Sequence, residues 1–241
     1  MSSSASSAWV RWPGFLAWLF LALIPVSVIG VRAGYWKEGL ALYAIAGLLS
    51  LLVLAVMAVQ FLLPRFRNQR SVIVRRALPA LPGAVLLILA MQGGKVPPIH
   101  DITTDVDDPP VFETAPTLRG ASANPLSIKP EVLAQQLEAY PDLDTLRSTN
   151  SYEGTYNRAL TTARSLGWEI TREDPIGGYI EAVDTTAMMN FKDDIVLRVR
   201  TNAEGSLVDL RSVSRVGRSD LGANAKRIRA FRAAFEVAAQ G

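Results

Sequence analysis

Apolar positions follow two different rhythms along this chain. As far as residue 93 they come in long blocks, and beyond it they recur at every second, third or fourth place. Residues 13–31 contain no charge, and residues 39–63 contain Gln60 as their one strongly polar side chain. A hydrocarbon core of about 30 Å takes roughly 20 apolar residues as a helix. Both blocks therefore predict membrane-spanning helices, Pro25 in the first being tolerated where neighbours satisfy the freed carbonyl. A third block at residues 77–93 is shorter and opens with Pro79 and Pro82. A span there competes with a buried or re-entrant helix.

The second rhythm predicts a folded domain. Residues 95–130 are rich in proline, aspartate and threonine and predict an extended tether. Pro130 opens a short helical pattern through Val132, Leu133 and Leu137, which Pro141 stops. Tyr152, Tyr156, Ala159, Leu160, Ala163 and Leu166 recur at helical spacing, with Gly167 at the end. Strands follow at about 168–173, 179–186, 195–201 and 207–216, with hairpin residues at 202–205. Ser219 is placed as an N-cap with Asp220 in the first turn, ahead of a stripe through Leu221, Ala225, Ile228, Phe231 and Phe235 on a helix to about residue 239. The expected architecture is α+β: N-terminal transmembrane helices over residues 1–94, the tether, and a two-layer domain over 131–241. In that domain a four-stranded antiparallel sheet hides one face under its helices.

Charge sharpens this division. Residues 1–94 hold eight basic side chains and Glu38, a net of +7, whereas residues 95–241 hold 17 basic and 21 acidic side chains, a net of −4. The overall charge of +3 thus belongs to the apolar part, and the polar part has no basic footprint for a nucleic acid. Arg65, Arg67, Arg70, Arg75 and Arg76 separate the second block from the third. Short basic loops stay cytoplasmic, so with three spans the N-terminus is cytoplasmic and the domain emerges on the far side, the periplasm of a two-membrane bacterium. Arg32 and Lys37 dissent weakly. No small-x-small cleavage site follows the first block, so it is expected to be retained. The bilayer is thus an expected partner. Cysteine is absent, excluding disulfides, thiolate zinc sites and a thiol nucleophile.

Two stretches carry a resemblance. One is Ile99-His100-Asp101-Ile102-Thr103-Thr104-Asp105 with Asp108-Pro109-Pro110 after it. The other runs from Phe191-Lys192-Asp193-Asp194-Ile195-Val196 to Arg211-Ser212-Val213-Ser214-Arg215-Val216-Gly217-Arg218-Ser219-Asp220-Leu221-Gly222-Ala223-Asn224. Over about residues 96–236 the chain resembles a bacterial family, number 1499 among the domains of unknown function, whose members also carry membrane segments ahead of the domain. The resemblance implies domain boundaries and supplies no activity, cofactor or catalytic residue.

Candidate chemistry is sparse. His100 with Asp101, Asp105, Asp107 and Asp108 is the one grouping suited to a divalent metal or to proton handling, with His100, Asp101 and Asp105 as the candidate ligands, against Asx-turn chemistry for the same residues. Arg215, Arg218 and Ser219 at the start of the last helix suit a phosphate or carboxylate, against simple capping with the arginines paired to acids of the tether. Adjacent Asp193 and Asp194 point to opposite faces of their strand and make a poor acid–base pair. Arg198, Arg200 and Arg211 alternate with apolar residues and predict the solvated face of the sheet, or partners of Asp184 and Asp209. No glycine-flanked serine supports a Ser-His-Asp triad. The sequence favours a non-enzymatic module that binds an envelope protein or an anionic ligand and needs no cofactor. An envelope enzyme or metal-dependent module using His100 is the alternative.

Overall fold

The computed structural model describes residues 7–91 and 96–238. The chain divides into two compact units, Met1–Gly94 and Lys95–Gly241.

The first unit is a bundle of helices. α1 (Ala8–Arg32) and α2 (Trp36–Leu62) form a hairpin; a 3₁₀ segment (Pro64–Gln69) then leads into α3 (Arg70–Ala77), and a second (Leu78–Ala80) joins α3 to α4 (Leu81–Met91). Three helical stretches, Ala8–Arg32, Trp36–Leu62 and Pro64–Met91, are long and apolar enough to cross a membrane. The third begins at Pro64, well before the predicted start at residue 77, and its expected end at 93 lies outside the described residues. Polar groups point inward: Ser27, Ser50 and Gln60 are buried, while Trp12, Leu48, Leu52 and Leu89 lie exposed on the outside. Gln60 has a specific task. Pro13 has no N–H to offer the carbonyl of Trp9 four residues earlier, and Gln60 Nε2 donates to that oxygen at 2.9 Å. Small residues let α2 and α4 approach closely, for a Cβ on Gly47 would come within 2.8 Å of Leu87 Cβ.

The second unit is a two-layer α+β domain around one antiparallel sheet. Its elements are β1 (Asp101–Thr103), α5 (Ala115–Leu118), α6 (Pro130–Ala139), β2 (Leu146–Ser148), α7 (Tyr152–Ser165), β3 (Glu169–Asp174), β4 (Tyr179–Thr185), β5 (Lys192–Asn202), β6 (Gly205–Ser214) and α8 (Ala223–Val237). The spatial order is β1-β6-β5-β4-β3, with β2 also paired to β6. The sheet has six strands rather than the expected four. β1 and β2 occupy the outer edge of β6 end to end, Ile102 opposite Ser212 and Arg147 opposite Leu207. Each is three residues long, too short to show the alternation that reveals a strand in a sequence.

One face of the sheet carries the apolar core. Ile180, Ile195, Leu197, Val199, Val208 and Leu210 meet Ala159 and Leu160 of α7 and Ile228, Phe231 and Phe235 of α8. Trp168 stacks on Phe231 at 5.5 Å between centroids, and Phe231 on Phe235 at 5.8 Å. Ser151 caps α7 by accepting from Gly154 N at 3.2 Å. Gln136 of α6 takes the place of a further strand: its side chain accepts from Thr103 N at 2.9 Å and donates to Thr103 O at 2.7 Å, closing the edge of β1.

The proline-rich segment is structural. Ile99 and Ile102 belong to the apolar core, and residues 104–126 form a strap lying against the opposite face of the sheet, where Phe112 and Ala115 pack on Val196 and Val213. A tether would leave these groups in water, so the domain begins well before residue 131. A second correction concerns the last helix. α8 starts at Ala223, because Leu221 (φ 53°) and Gly222 (φ 82°) are left-handed and cannot continue a helix. Asp220, rather than Ser219, serves the helix start, accepting from Gly222 N at 2.8 Å and Asn224 N at 2.9 Å. The expected end of this helix at residue 239 lies outside the described residues.

Candidate functional site

Beneath the strap the sheet face is charged and dry. Arg198 and Arg211, expected among the solvated positions, are 6% and 4% exposed. Alternation along β5 and β6 does turn them away from the apolar core, but the strap rather than water receives them. Arg211 grips Asp101 of β1 with two bonds, Nε to Oδ1 at 3.0 Å and Nη2 to Oδ2 at 2.7 Å. It also donates to the carbonyls of Pro110 and Leu126, so one guanidinium joins β6, β1 and two points of the strap 16 residues apart. Arg198 donates to Asp108 Oδ2 at 2.8 Å, Asp108 O at 2.7 Å, Asp105 Oδ2 at 3.0 Å and Asp209 Oδ2 at 3.1 Å. Arg200 reaches the same two carboxylates, Asp105 at 2.9 Å and Asp209 at 2.7 Å. Of the expected sheet partners, Asp209 holds Arg198 and Arg200, whereas Asp184 lies on the helix face and pairs with Arg227 at 2.7 Å.

An acid anchors the middle of the strap. Glu181 of β4 is 1% exposed, and its carboxylate accepts from the backbone N–H of Glu113, Thr114 and Ala115 at 2.8–3.1 Å. Three orphan donors and one buried charge are satisfied together.

The far end of the layer is less complete. Asp194 receives Arg215 at 2.7 Å and Arg119 at 3.0 Å. Asp193, facing the other way as strand alternation requires, pairs with Arg227 of α8. Arg119 follows the short α5 and its side chain is 5% exposed. None of its three guanidinium nitrogens makes an aligned hydrogen bond among the described residues. Burial pushes its pKa down from the ordinary arginine range, Asp194 opposing this and Arg215 adding to it.

The sequence candidates fall in and around this layer. Asp101 and Asp105 have their carboxylates bonded to Arg211 and to Arg198 and Arg200, while His100 Nδ1 lies 3.3 Å from the Arg218 carbonyl. No group of three or more His, Asp or Glu side chains among the described residues is arranged to hold a metal ion. Arg215 is in the ionic layer and pairs with Asp194 of β5 rather than with acids of the strap. Arg218 is exposed, without an ion pair among the described residues, and Ser219 Oγ accepts from Leu221 N at 3.2 Å. The structure thus joins Arg215 to Arg119 and leaves Arg218 and Ser219 in the loop before α8. Arg119, Glu181 and Gln136 went unnoticed in the sequence. Each is a lone polar residue whose role depends on a segment distant in the chain. A cleft of about 300 Å³ opens on the helix side beside Trp168, Asp184, Lys226 and Arg227, at the lower limit for ligand sites. The Arg227 nitrogens there are already bonded to Asp184, Asp193, Ser212 and Asn224.

Taken together, the domain is a small α+β module whose sheet is apolar under two helices and ionic under a strap. The chain belongs to the family described as protein of unknown function (DUF1499), which it matches over residues 101–235. That span takes in β1 and the strap as well as the sheet and α8. Comparison with curated proteins gives no match.

Proposed function

We propose that this chain is a multi-pass protein of a bacterial inner membrane, whose C-terminal domain is an interaction module on the periplasmic side for an envelope protein or an anionic ligand. The observation carrying the sidedness is the chemistry at one end of the helical bundle. Ser7 N donates to Gln69 Oε1 at 3.0 Å, so the start of α1 and the basic linker share that end. Arg65 lies over Trp9 and Phe66, Arg70 over Phe61 and Arg76 over Phe15. Aromatic rings and arginines of this kind suit the headgroup region, and short basic linkers remain cytoplasmic. Three crossings from a cytoplasmic start put the following domain outside.

Reporter fusions at Lys95 and at Arg67 test the arrangement. Alkaline phosphatase is expected to be active at Lys95 and inactive at Arg67, and the reverse pattern contradicts it. The binding role is supported by Arg119, a buried cation with donors left over. The metal-dependent or enzymatic alternative at His100, Asp101 and Asp105 gains no support from the geometry, because arginines hold both carboxylates. If that alternative is correct, His100→Ala lowers bound metal by elemental analysis; unchanged metal content counts against it.

A further inference from the structure

We infer that Arg119, with Arg215 beside it, forms a binding subsite for a phosphate-type oxyanion. This deepens the binding-module reading and rests on it, but not on which side of the membrane the domain faces.

Three observations converge. First, the donors are unfilled: Nη1 and Nη2 of Arg119 are buried without a hydrogen-bond partner, and Nε, 3.0 Å from Asp194 Oδ2, is not aligned to bond with it. A guanidinium offers five N–H donors, and burying them unused is costly. Every other arginine of the ionic layer that is less than a tenth exposed, Arg198 and Arg211, has carboxylate and carbonyl partners at hydrogen-bond distance.

Second, the local charge does not balance. Among the described residues, the charges that act on Arg119 are those of Asp194, Asp101, Arg215 and Arg211, so three cations share two carboxylates and one positive charge is in surplus. Arg211 and Asp101 satisfy each other in a two-bond pair, and Arg215 and Asp194 do so at 2.7 Å. The surplus therefore resides on Arg119. An anion with two oxygens on one side matches the fork that this side chain presents.

Third, the segment next to Arg119 in the chain is small and exposed. Gly120, Ala121 and Ser122 follow Arg119 in an exposed turn, and a Cβ placed on Gly120 would meet nothing within 4 Å. With short side chains and open space at this turn, a modest shift of it is the route by which an oxyanion would reach the guanidinium.

The source of the phosphate, free ion or lipid headgroup, is distinguished by experiment. Melting curves of the full chain in non-ionic detergent are compared in sodium phosphate and sodium chloride at equal ionic strength, and separately with added short-chain phosphatidylglycerol. The expected result is a saturable rise in Tm with at least one phosphate source. A rise with inorganic phosphate identifies the free ion, and a rise with the lipid alone identifies a headgroup.

Arg119→Met is expected to abolish the rise. Without phosphate its Tm should equal or exceed that of the wild type, because Asp194 keeps Arg215 and an unsatisfied buried cation has been removed. Arg119→Lys keeps the charge without the fork and should weaken phosphate binding about tenfold or more. The subsite is overturned by the absence of a shift with either source, by a shift that survives in Arg119→Met, or by loss of folding of Arg119→Met in phosphate-free buffer. The last result would make the guanidinium a structural tie. None of these outcomes depends on the reporter fusions, so the subsite and the proposed topology fail separately.

Discussion

The two faces of the sheet are built from the same strands by opposite chemistry. Along β5, Ile195, Leu197 and Val199 enter the apolar core, while Asp194 and Arg198 enter the ionic layer. The apolar face is held by contacts that tolerate small adjustments and lose stability in proportion to the volume removed. On the ionic face every charge but that of Arg119 is held by named hydrogen-bond partners, and removing one member of such a pair strands the other in a dry place. The helix face thus supplies bulk stabilisation, whereas the strap face fixes which segment may lie there. A strap with acids at other positions would take Asp105 and Asp108 from Arg198 and leave it Asp209 alone.

The comparison can be broken most forcefully on the apolar side. Phe231→Ala removes a fully buried ring stacked against Trp168 and Phe235 and is expected to cost about 3–5 kcal/mol in urea titrations of the detergent-solubilised chain. On the ionic side the signature is non-additivity. Arg211→Met leaves Asp101 buried and alone, and a loss of about 3–5 kcal/mol is expected. Adding Asp101→Leu should restore most of it, because a buried pair can be replaced by apolar groups at little cost. If the double variant is as unstable as the sum of the singles, the pair is not an isolated tie.

Glu181→Gln keeps the shape but removes the charge that three N–H groups share, for an expected loss of about 1.5–3 kcal/mol. The smallest effect belongs to an exposed pair. Asp142 accepts from Arg229 at 2.6 and 2.7 Å, and that bond lowers its pKa from the ordinary carboxylate value. Its contribution is therefore present above the ordinary carboxylate range and fades as pH falls through the lowered value. Both side chains are about half exposed, so Arg229→Ala should cost less than about 1 kcal/mol at neutral pH and little in acid.

Much of this architecture was legible in the sequence because its signals are local. α7, α8 and the β5–β6 hairpin announce themselves through spacing and turn residues, and the apolar helices of the first unit through length. β1, β2 and the strap were not legible, since their order comes from distant partners: Arg211 for Asp101, Val208 for Leu146, Glu181 for the backbone at 113–115. Proline and aspartate density looks like a tether when the surface that receives it is out of view. The site divided similarly. Arg215 was singled out by its position ahead of a helix, whereas Arg119, its companion 96 positions away on Asp194, lies in a segment without periodicity.

Whether the strap is part of the folded domain is open to direct measurement by hydrogen exchange on the full chain. The amides of Glu113, Thr114 and Ala115, bonded to Glu181, should be protected to the same order as those of central β5, and Glu181→Gln should lower their protection more than that of β5. Exchange of these three amides at the rate of a free peptide, with β5 protected, would contradict a sealed ionic face and return residues 104–126 to the role of a tether.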